Sequence, residues 1–142
     1  MAFMKLLFSN DERNKDLGLL IMRVGIGLLF MNYGWGKLMA GSEQWIWLGS
    51  QMAHLGITWA PWWWGLKAAA SEAIGGVLLV LGFCTRIGAF LIAAVMSVAV
   101  VMHLSIGDGF KVFSFPLSLL FVMLGLICAG GGRYSFDHML EK

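Results

Sequence analysis

The sequence predicts an all-α integral membrane protein, an antiparallel bundle of four transmembrane helices, and three observations support this fold class. The composition is 59% hydrophobic and only 13% charged, far more apolar than that of a soluble domain. Four apolar runs, at 17–40, 62–81, 87–104 and 113–130, are each long enough to cross about 30 Å of hydrocarbon as a helix. The runs do not alternate, which disfavours a β-barrel. We therefore expect residues 1–142 to form one transmembrane domain surrounded by lipid.

The first run, 17–40, carries polar residues that fall on one helical stripe. At 3.6 residues per turn this stripe holds two cations and two glycines. Its members are Arg23, Gly27, Phe30, Gly34 and Lys37. Glycine allows close approach of helices in lipid, so we expect this stripe to face the inside of the bundle.

The connection between the first two spans is unusually aromatic. All seven tryptophans lie between Trp35 and Trp64. A helical spacing of apolar residues at 43–55 predicts a short interfacial helix across the mouth of the bundle, and an anchored loop is the alternative. Indole favours the membrane–water boundary, so membrane anchoring explains the tryptophans. The alternative is a stacking surface for a flat ring such as a quinone.

Lysine and arginine in the short flanking segments predict the orientation. With both termini on one side, that side carries Lys5, Arg13, Lys15, Arg86, Arg133 and Lys142, and the other side carries Lys37 and Lys111. This asymmetry favours cytoplasmic N- and C-termini. Cys84 and Cys128 then lie near the cytoplasmic ends of their helices, where reducing conditions disfavour a disulfide.

Glu72 lies well inside the second span, where an ionised side chain costs at least about 2.5–3.5 kcal/mol on insertion scales. It should therefore face other helices or a wet cavity and have a partner. Counting the rise per residue from the helix ends puts Arg23 within about 6 Å of the depth of Glu72. We expect a buried Arg23–Glu72 ion pair. It could take part in the chemistry of the protein, and the alternative is that it only fixes the register of the two helices.

A second polar group gathers near the outer side of the predicted bundle. Its members are Asn32, Tyr33, Lys37, Lys67 and His103, with Trp35 as an aromatic wall and His54 as a further candidate from the connecting helix. Together they offer hydrogen-bond donors and an imidazole that titrates near neutral pH. Such a set suits a quinone carbonyl or an anion entering from outside. Alternatively, the lysines snorkel to water and the histidine is merely interfacial.

Other site classes find little support. The formal charge of +2 is small and scattered, which argues against nucleic acid as a partner. The three histidines fall on different elements, so no metal site is expected. The glycines lie within apolar helices and form no nucleotide-binding loop. No motif for a bound cofactor is evident.

Several motifs nevertheless resemble those of the DoxX family of small bacterial inner-membrane proteins. They are RVGIG at 23–27, GWGKL at 34–38, EAIGG at 72–76, LG at 81–82, TR at 85–86 and GRYSFD at 132–137. The resemblance covers about residues 17–137. It implies a multi-pass protein of the bacterial inner membrane with four helices and both termini inside, in agreement with the charge asymmetry.

The resemblance also implies a redox association. The family takes its name from a subunit associated with a terminal quinol oxidase, and it is related to the quinone-linked thiosulfate-oxidising subunit DoxD. A quinone-linked subunit of a membrane oxidoreductase system in sulfur, thiol or oxidative-stress metabolism is the leading hypothesis, with a quinone or small sulfur anion as ligand and other oxidoreductase subunits as partners. The alternatives are a non-catalytic scaffold subunit and a small transporter. The lipid-facing surface leaves room for a homodimer.

Overall fold

The computed structural model describes residues 1–9 and 11–142. All regular secondary structure in these residues is helical. The helices are α1 (Ala2–Phe8), α2 (Glu12–Met39), α3 (Ser42–Ser50), α4 (Pro61–Leu81), α5 (Thr85–Ser105), α6 (Phe110–Ala129) and α7 (Phe136–Leu140). A 3-10 segment, Gln51–Leu55, continues α3. Helices α2, α4, α5 and α6 are long and apolar enough to cross a membrane, which confirms the predicted fold class.

Helix α2 begins earlier than the apolar run that predicts it. It starts at Glu12, because the side chain of Asp11 accepts a hydrogen bond from the amide of Arg13 and so caps the first turn. The short helix between the first two spans is present, but α3 ends at Ser50 and the chain tightens into the 3-10 segment. Gly56 then turns the chain with φ near 80°.

Helices α2 and α4 pack against each other through glycine. A Cβ atom added at Gly27 would lie 2.9 Å from the carbonyl oxygen of Gly76, and one added at Gly34 would overlap the backbone of Ala73. Only glycine permits this approach, and the order of the contacts along the chain shows that the two helices run antiparallel. Arg23, Gly27, Phe30 and Gly34 are all buried in α2, which confirms that the predicted stripe faces inward.

The remaining core lies between α4, α5 and α6. Leu79, Ile92, Met123 and Leu126 have no exposed surface and fill this region. Helix α3 lies directly on α4, since a Cβ atom at Gly49 would overlap the backbone at Pro61. The 3-10 segment rests on α5. Thus α3 and the 3-10 segment cover one end of the α4–α5 pair.

The alternation of chain direction gives the bundle two different ends. The terminal face is formed by the start of α2, the end of α4, the start of α5 and α7. The tryptophan face is formed by the end of α2, α3 with the 3-10 segment, the start of α4, the end of α5 and the start of α6. The chemistry at the two faces differs.

Candidate functional site: an apolar cavity beside a buried lysine–glutamate pair

A cavity of about 520 Å³ lies at the tryptophan face between α3, α4 and α5. Apolar side chains make most of its wall, and Trp47, Leu48, Met52, Trp64, Val98 and Met102 are among them. The charged groups that line it are Lys37, Lys67 and Glu72. Ligand sites in proteins commonly have this volume and this combination of an apolar wall with a few placed polar groups.

The Lys37–Glu72 pair forms the polar end of the cavity. Nζ of Lys37 lies 2.8 Å from Oε1 and 2.7 Å from Oε2 of Glu72, so both carboxylate oxygens accept from one ammonium. The Glu72 side chain is 1% exposed, whereas that of Lys37 is 31% exposed. The antiparallel packing at Gly34 and Ala73 brings the two charged residues together across the α2–α4 interface. A carboxylate buried this deeply requires such a partner.

The expected Arg23–Glu72 ion pair is wrong, because the ion-pair partner of Glu72 is Lys37 and not Arg23. Both residues are buried, but the register of α2 against α4 places Arg23 beside Leu79 rather than beside Glu72. Leu79 lies about two turns, or about 10 Å, along α4 from Glu72. Counting depth from each helix end missed this offset, because it could not include the close approach at the glycines. Lys37, which the sequence placed at the outer end of the span, is the residue that reaches Glu72.

Arg23 instead binds backbone carbonyl groups at the terminal face. Its guanidinium donates to the carbonyls of Leu79 at 3.0 Å, Val80 at 3.4 Å and Tyr134 at 2.7 Å. The carbonyls of Leu79 and Val80 belong to the last turn of α4, where the helix leaves acceptors without intrahelical partners and favours a cation. Arg23 therefore joins α2, the end of α4 and the segment before α7.

Asp137 completes this arrangement at the terminal face. Its carboxylate accepts from the amide of Cys84 at 2.6 Å and from the amide of Thr85 at 2.9 Å, and so caps α5. Burial by itself would raise the pKa of Asp137. The amide hydrogen bonds and the positive charge of Arg23 outweigh burial and hold the pKa below its usual range.

Lys67 is the second lysine of the cavity. Its ammonium lies 5.0 Å from the ring centroids of both Trp63 and Trp64, a geometry of cation–π attraction. Among the residues that the structure describes, Lys67 makes no ion pair. Two lysines and one carboxylate thus leave the lining of the cavity with one formal positive charge.

The structure brings two of the six outer candidates, Lys37 and Lys67, into the cavity and leaves the other four outside its lining. Asn32 and Trp35 line a separate shallow groove on α2 with Leu28 and Met39. Tyr33 is half exposed and packs edge-on against Phe30.

His103 and His54 are also absent from the cavity wall. Nδ1 of His103 lies 2.6 Å from Oδ2 of Asp108, in the turn before α6. His54 is exposed in the 3-10 segment. Neither histidine faces the Lys37–Glu72 pair, so the predicted convergence of imidazole and lysine does not occur in this structure.

Sequence reasoning did not single out Ser71 and the indole nitrogen of Trp64. Both residues line the cavity, and the Trp64 N–H is buried without a hydrogen-bond partner in the described part of the chain. Trp64, Lys67 and Ser71 follow one another at intervals of three and four residues on α4. This spacing puts the three residues on one face of α4, and it is the sequence signal that could have identified Trp64 and Ser71 as neighbours of Lys67.

Comparisons with known proteins agree on the family of this chain. The family model described as DoxX matches residues 18–104. The inner membrane protein YqjF of Escherichia coli (strain K12) is 29% identical over 138 residues, which cover 92% of this chain and 98% of that protein. No solved structure matches the chain.

Proposed function

This chain belongs to the DoxX family, and we propose that within it the chain is a quinone-binding subunit of a membrane redox system. The observation that carries the proposal is the cavity at the tryptophan face, which combines apolar walls with the buried Lys37–Glu72 pair. A quinone has a flat ring for the apolar wall and carbonyl oxygens for a cationic donor. We place its ring between α4 and α5, with one carbonyl toward Lys37.

The hydrogen bonds of Lys37 support this placement. An ammonium carries three N–H donors, and two point to the oxygens of Glu72. The third donor is available to an acceptor in the cavity. Glu72 in turn fixes the position of the ammonium, because a bidentate contact restricts a side chain that is otherwise flexible. In this proposal Glu72 is a positioning residue, and Lys37 contacts the ligand.

The cavity wall offers a direct test by steric exclusion. Ala99 lines the cavity on α5, so Ala99→Phe should fill part of the space without changing any charged group. Leu104→Phe is the matched control, because Leu104 is 54% exposed on the same helix and does not line the cavity. Each protein is purified gently from membranes, and its quinone is extracted and quantified by chromatography.

We expect near-stoichiometric quinone in the wild type and in Leu104→Phe, and only a small fraction in Ala99→Phe. Background quinone in all three proteins would contradict the proposal and favour a scaffold subunit without a ligand. Equal loading of all three would show that quinone binds elsewhere on the protein. Uptake of solute into liposomes, with no quinone, would instead favour a transporter.

We also propose the bacterial inner membrane as the location, with both termini in the cytoplasm. The name of the Escherichia coli relative supports the membrane, and the excess of lysine and arginine at the terminal face supports the orientation. The tryptophan-face cavity would then open near the periplasmic leaflet. Alkaline phosphatase fused to the C-terminus should be inactive in cells, and an active fusion would reverse the assignment.

The expected protein partners belong to the same proposal. Other oxidoreductase subunits would exchange electrons with the quinone, and a second copy of this chain could pack on lipid-facing α2, where Asn32 and Trp35 line the shallow groove. Crosslinking in intact membranes, followed by mass determination of the products, distinguishes a homodimer from a complex with other subunits. Recovery of only the uncrosslinked monomer would contradict both the proposed homodimer and the proposed complex with other subunits.

A further inference from the structure

Lys67 gives the cavity a charge that the Lys37–Glu72 pair does not explain. The carboxylate of Glu72 is occupied by Lys37 through both oxygens, and Lys67 makes no ion pair among the described residues. The rings of Trp63 and Trp64 attract the Lys67 ammonium but carry no net charge. The lining therefore holds one positive charge that a ligand of opposite sign would neutralise.

A second donor lies beside Lys67. The indole N–H of Trp64 is buried and has no acceptor within the described residues, although Trp64 lines the same cavity. Buried donors nearly always have a partner. This nitrogen has almost no accessible surface in the structure, so it can donate to a ligand only if the Trp64 ring turns toward the cavity. The Ser71 hydroxyl, one turn beyond Lys67 on α4, adds a further hydrogen-bonding group to the lining.

We infer that the ring bound in this cavity carries a negative charge on a ring oxygen, and that Lys67 recognises this charge. The ligand class is an acidic hydroxyquinone or a phenolate with an apolar substituent. This inference rests on the proposed function and names the chemical form of its ligand. A neutral carbonyl would accept from Lys37 equally well, but Lys67 is exposed, and its charge would then be balanced by water alone and would add nothing to recognition.

Two probes that differ only in one ring substituent, and therefore in charge, test the inference. One is a 3-alkyl-2-hydroxy-1,4-naphthoquinone, whose acidic ring hydroxyl is ionised at neutral pH, and the other is its neutral 2-methoxy ether. The full chain is reconstituted in nanodiscs of zwitterionic lipid, so that lipid charge does not attract the anion. Quenching of tryptophan fluorescence gives each dissociation constant, and equilibrium dialysis confirms it.

We expect the wild type to bind the anion about tenfold more tightly than the ether, as a charge-assisted hydrogen bond in a partly exposed site allows. Lys67→Met should lose this preference and bind both probes alike, whereas Lys67→Arg should keep it. Lys111→Met is the matched control, because it removes an exposed lysine of the same face that does not line the cavity. It should bind as the wild type does.

The outcomes separate this inference from the proposed function. Equal binding of both probes to the wild type would overturn the inference and leave the quinone proposal standing. Binding of neither probe would overturn both. If dodecanoate displaces the anionic probe as well as the probe displaces itself, the site recognises charge without a ring, which contradicts the quinone proposal. A preference retained in Lys67→Met would show that another group recognises the anion.

Discussion

Two cations on one stripe of α2 lie in very different surroundings. Arg23, at the terminal face, is buried among backbone carbonyls of Leu79, Val80 and Tyr134. Lys37, at the tryptophan face, is one-third exposed and faces the carboxylate of Glu72 at the wall of a cavity. Arg23 connects three parts of the chain, whereas Lys37 and Glu72 line a cavity large enough for a ligand.

Burial of a charge therefore does not by itself mark a functional residue. Arg23 is as deeply buried as Glu72, at 1% exposure each, yet both terminal nitrogens of its guanidinium donate to the protein's own backbone, and only its Nε is left without a partner in the described part of the chain. A charge satisfied by carbonyls at a helix end stabilises the fold. A charge held in place beside an apolar cavity, with a donor left over, suits a ligand.

The largest effect on stability is expected at Arg23. Arg23→Met removes all three carbonyl contacts and the packing of a fully buried side chain, so we expect a loss of about 3 kcal/mol in the free energy of unfolding. Thermal unfolding in mild detergent, followed by circular dichroism, measures it. Arg86→Met is the control, because Arg86 is exposed at the same face. Equal unfolding temperatures for the two variants would contradict the structural role of Arg23.

A smaller loss is expected at Glu72. Glu72→Gln keeps the shape of the side chain but leaves the Lys37 ammonium without its counter-charge, which should cost about 2 kcal/mol in the same unfolding assay. The loss is smaller than at Arg23, since Lys37 is partly exposed and can turn toward water. Glu43→Gln, at an exposed site on α3, should change almost nothing. A Glu72→Gln protein as stable as Glu43→Gln would show that the pair contributes no stability.

The terminal face should respond to acid through Asp137. Its pKa in the folded protein is below its usual range, so its stabilising effect is complete above the pKa of the unfolded chain, about 3.9. The effect is lost as pH falls through the lower, folded pKa. Asp137→Asn should therefore be less stable at neutral pH and lose less stability on acidification than the wild type. An unchanged slope of stability against pH between neutral and acidic buffers would contradict this account.

The smallest effect is expected at Trp45. Its indole N–H donates to the carbonyl of Lys37 at 3.0 Å and holds α3 against the end of α2. Trp45→Phe should cost about 1 kcal/mol, the usual net value of one hydrogen bond, and should leave ligand binding intact. Trp62→Phe, at a half-exposed ring, is the control. If Trp45→Phe loses most of its quinone while its free energy of unfolding falls by only about 1 kcal/mol, Trp45 belongs to the ligand site itself.

The sequence was sufficient for the fold but only partly sufficient for the site. Apolar runs long enough to span a bilayer predicted four helices, and helical spacing predicted the inward stripe of α2 that contains Gly27 and Gly34. The partner of Glu72 could not be predicted in this way. It depends on the register of α2 against α4, which close glycine contacts determine and depth estimates do not include. His103 likewise bonds Asp108 and does not line the cavity that contains Lys37 and Lys67.

We propose that the Lys37–Glu72 pair serves a ligand, whereas buried Arg23 stabilises the fold. The most direct test is the double variant Lys37→Met/Glu72→Leu, because apolar replacement of a buried ion pair is often neutral for stability. We measure its unfolding temperature and its extractable quinone beside the wild type. The account predicts a protein that unfolds near the wild-type temperature but contains only background quinone. A double variant that is stable and carries as much quinone as the wild type would contradict it.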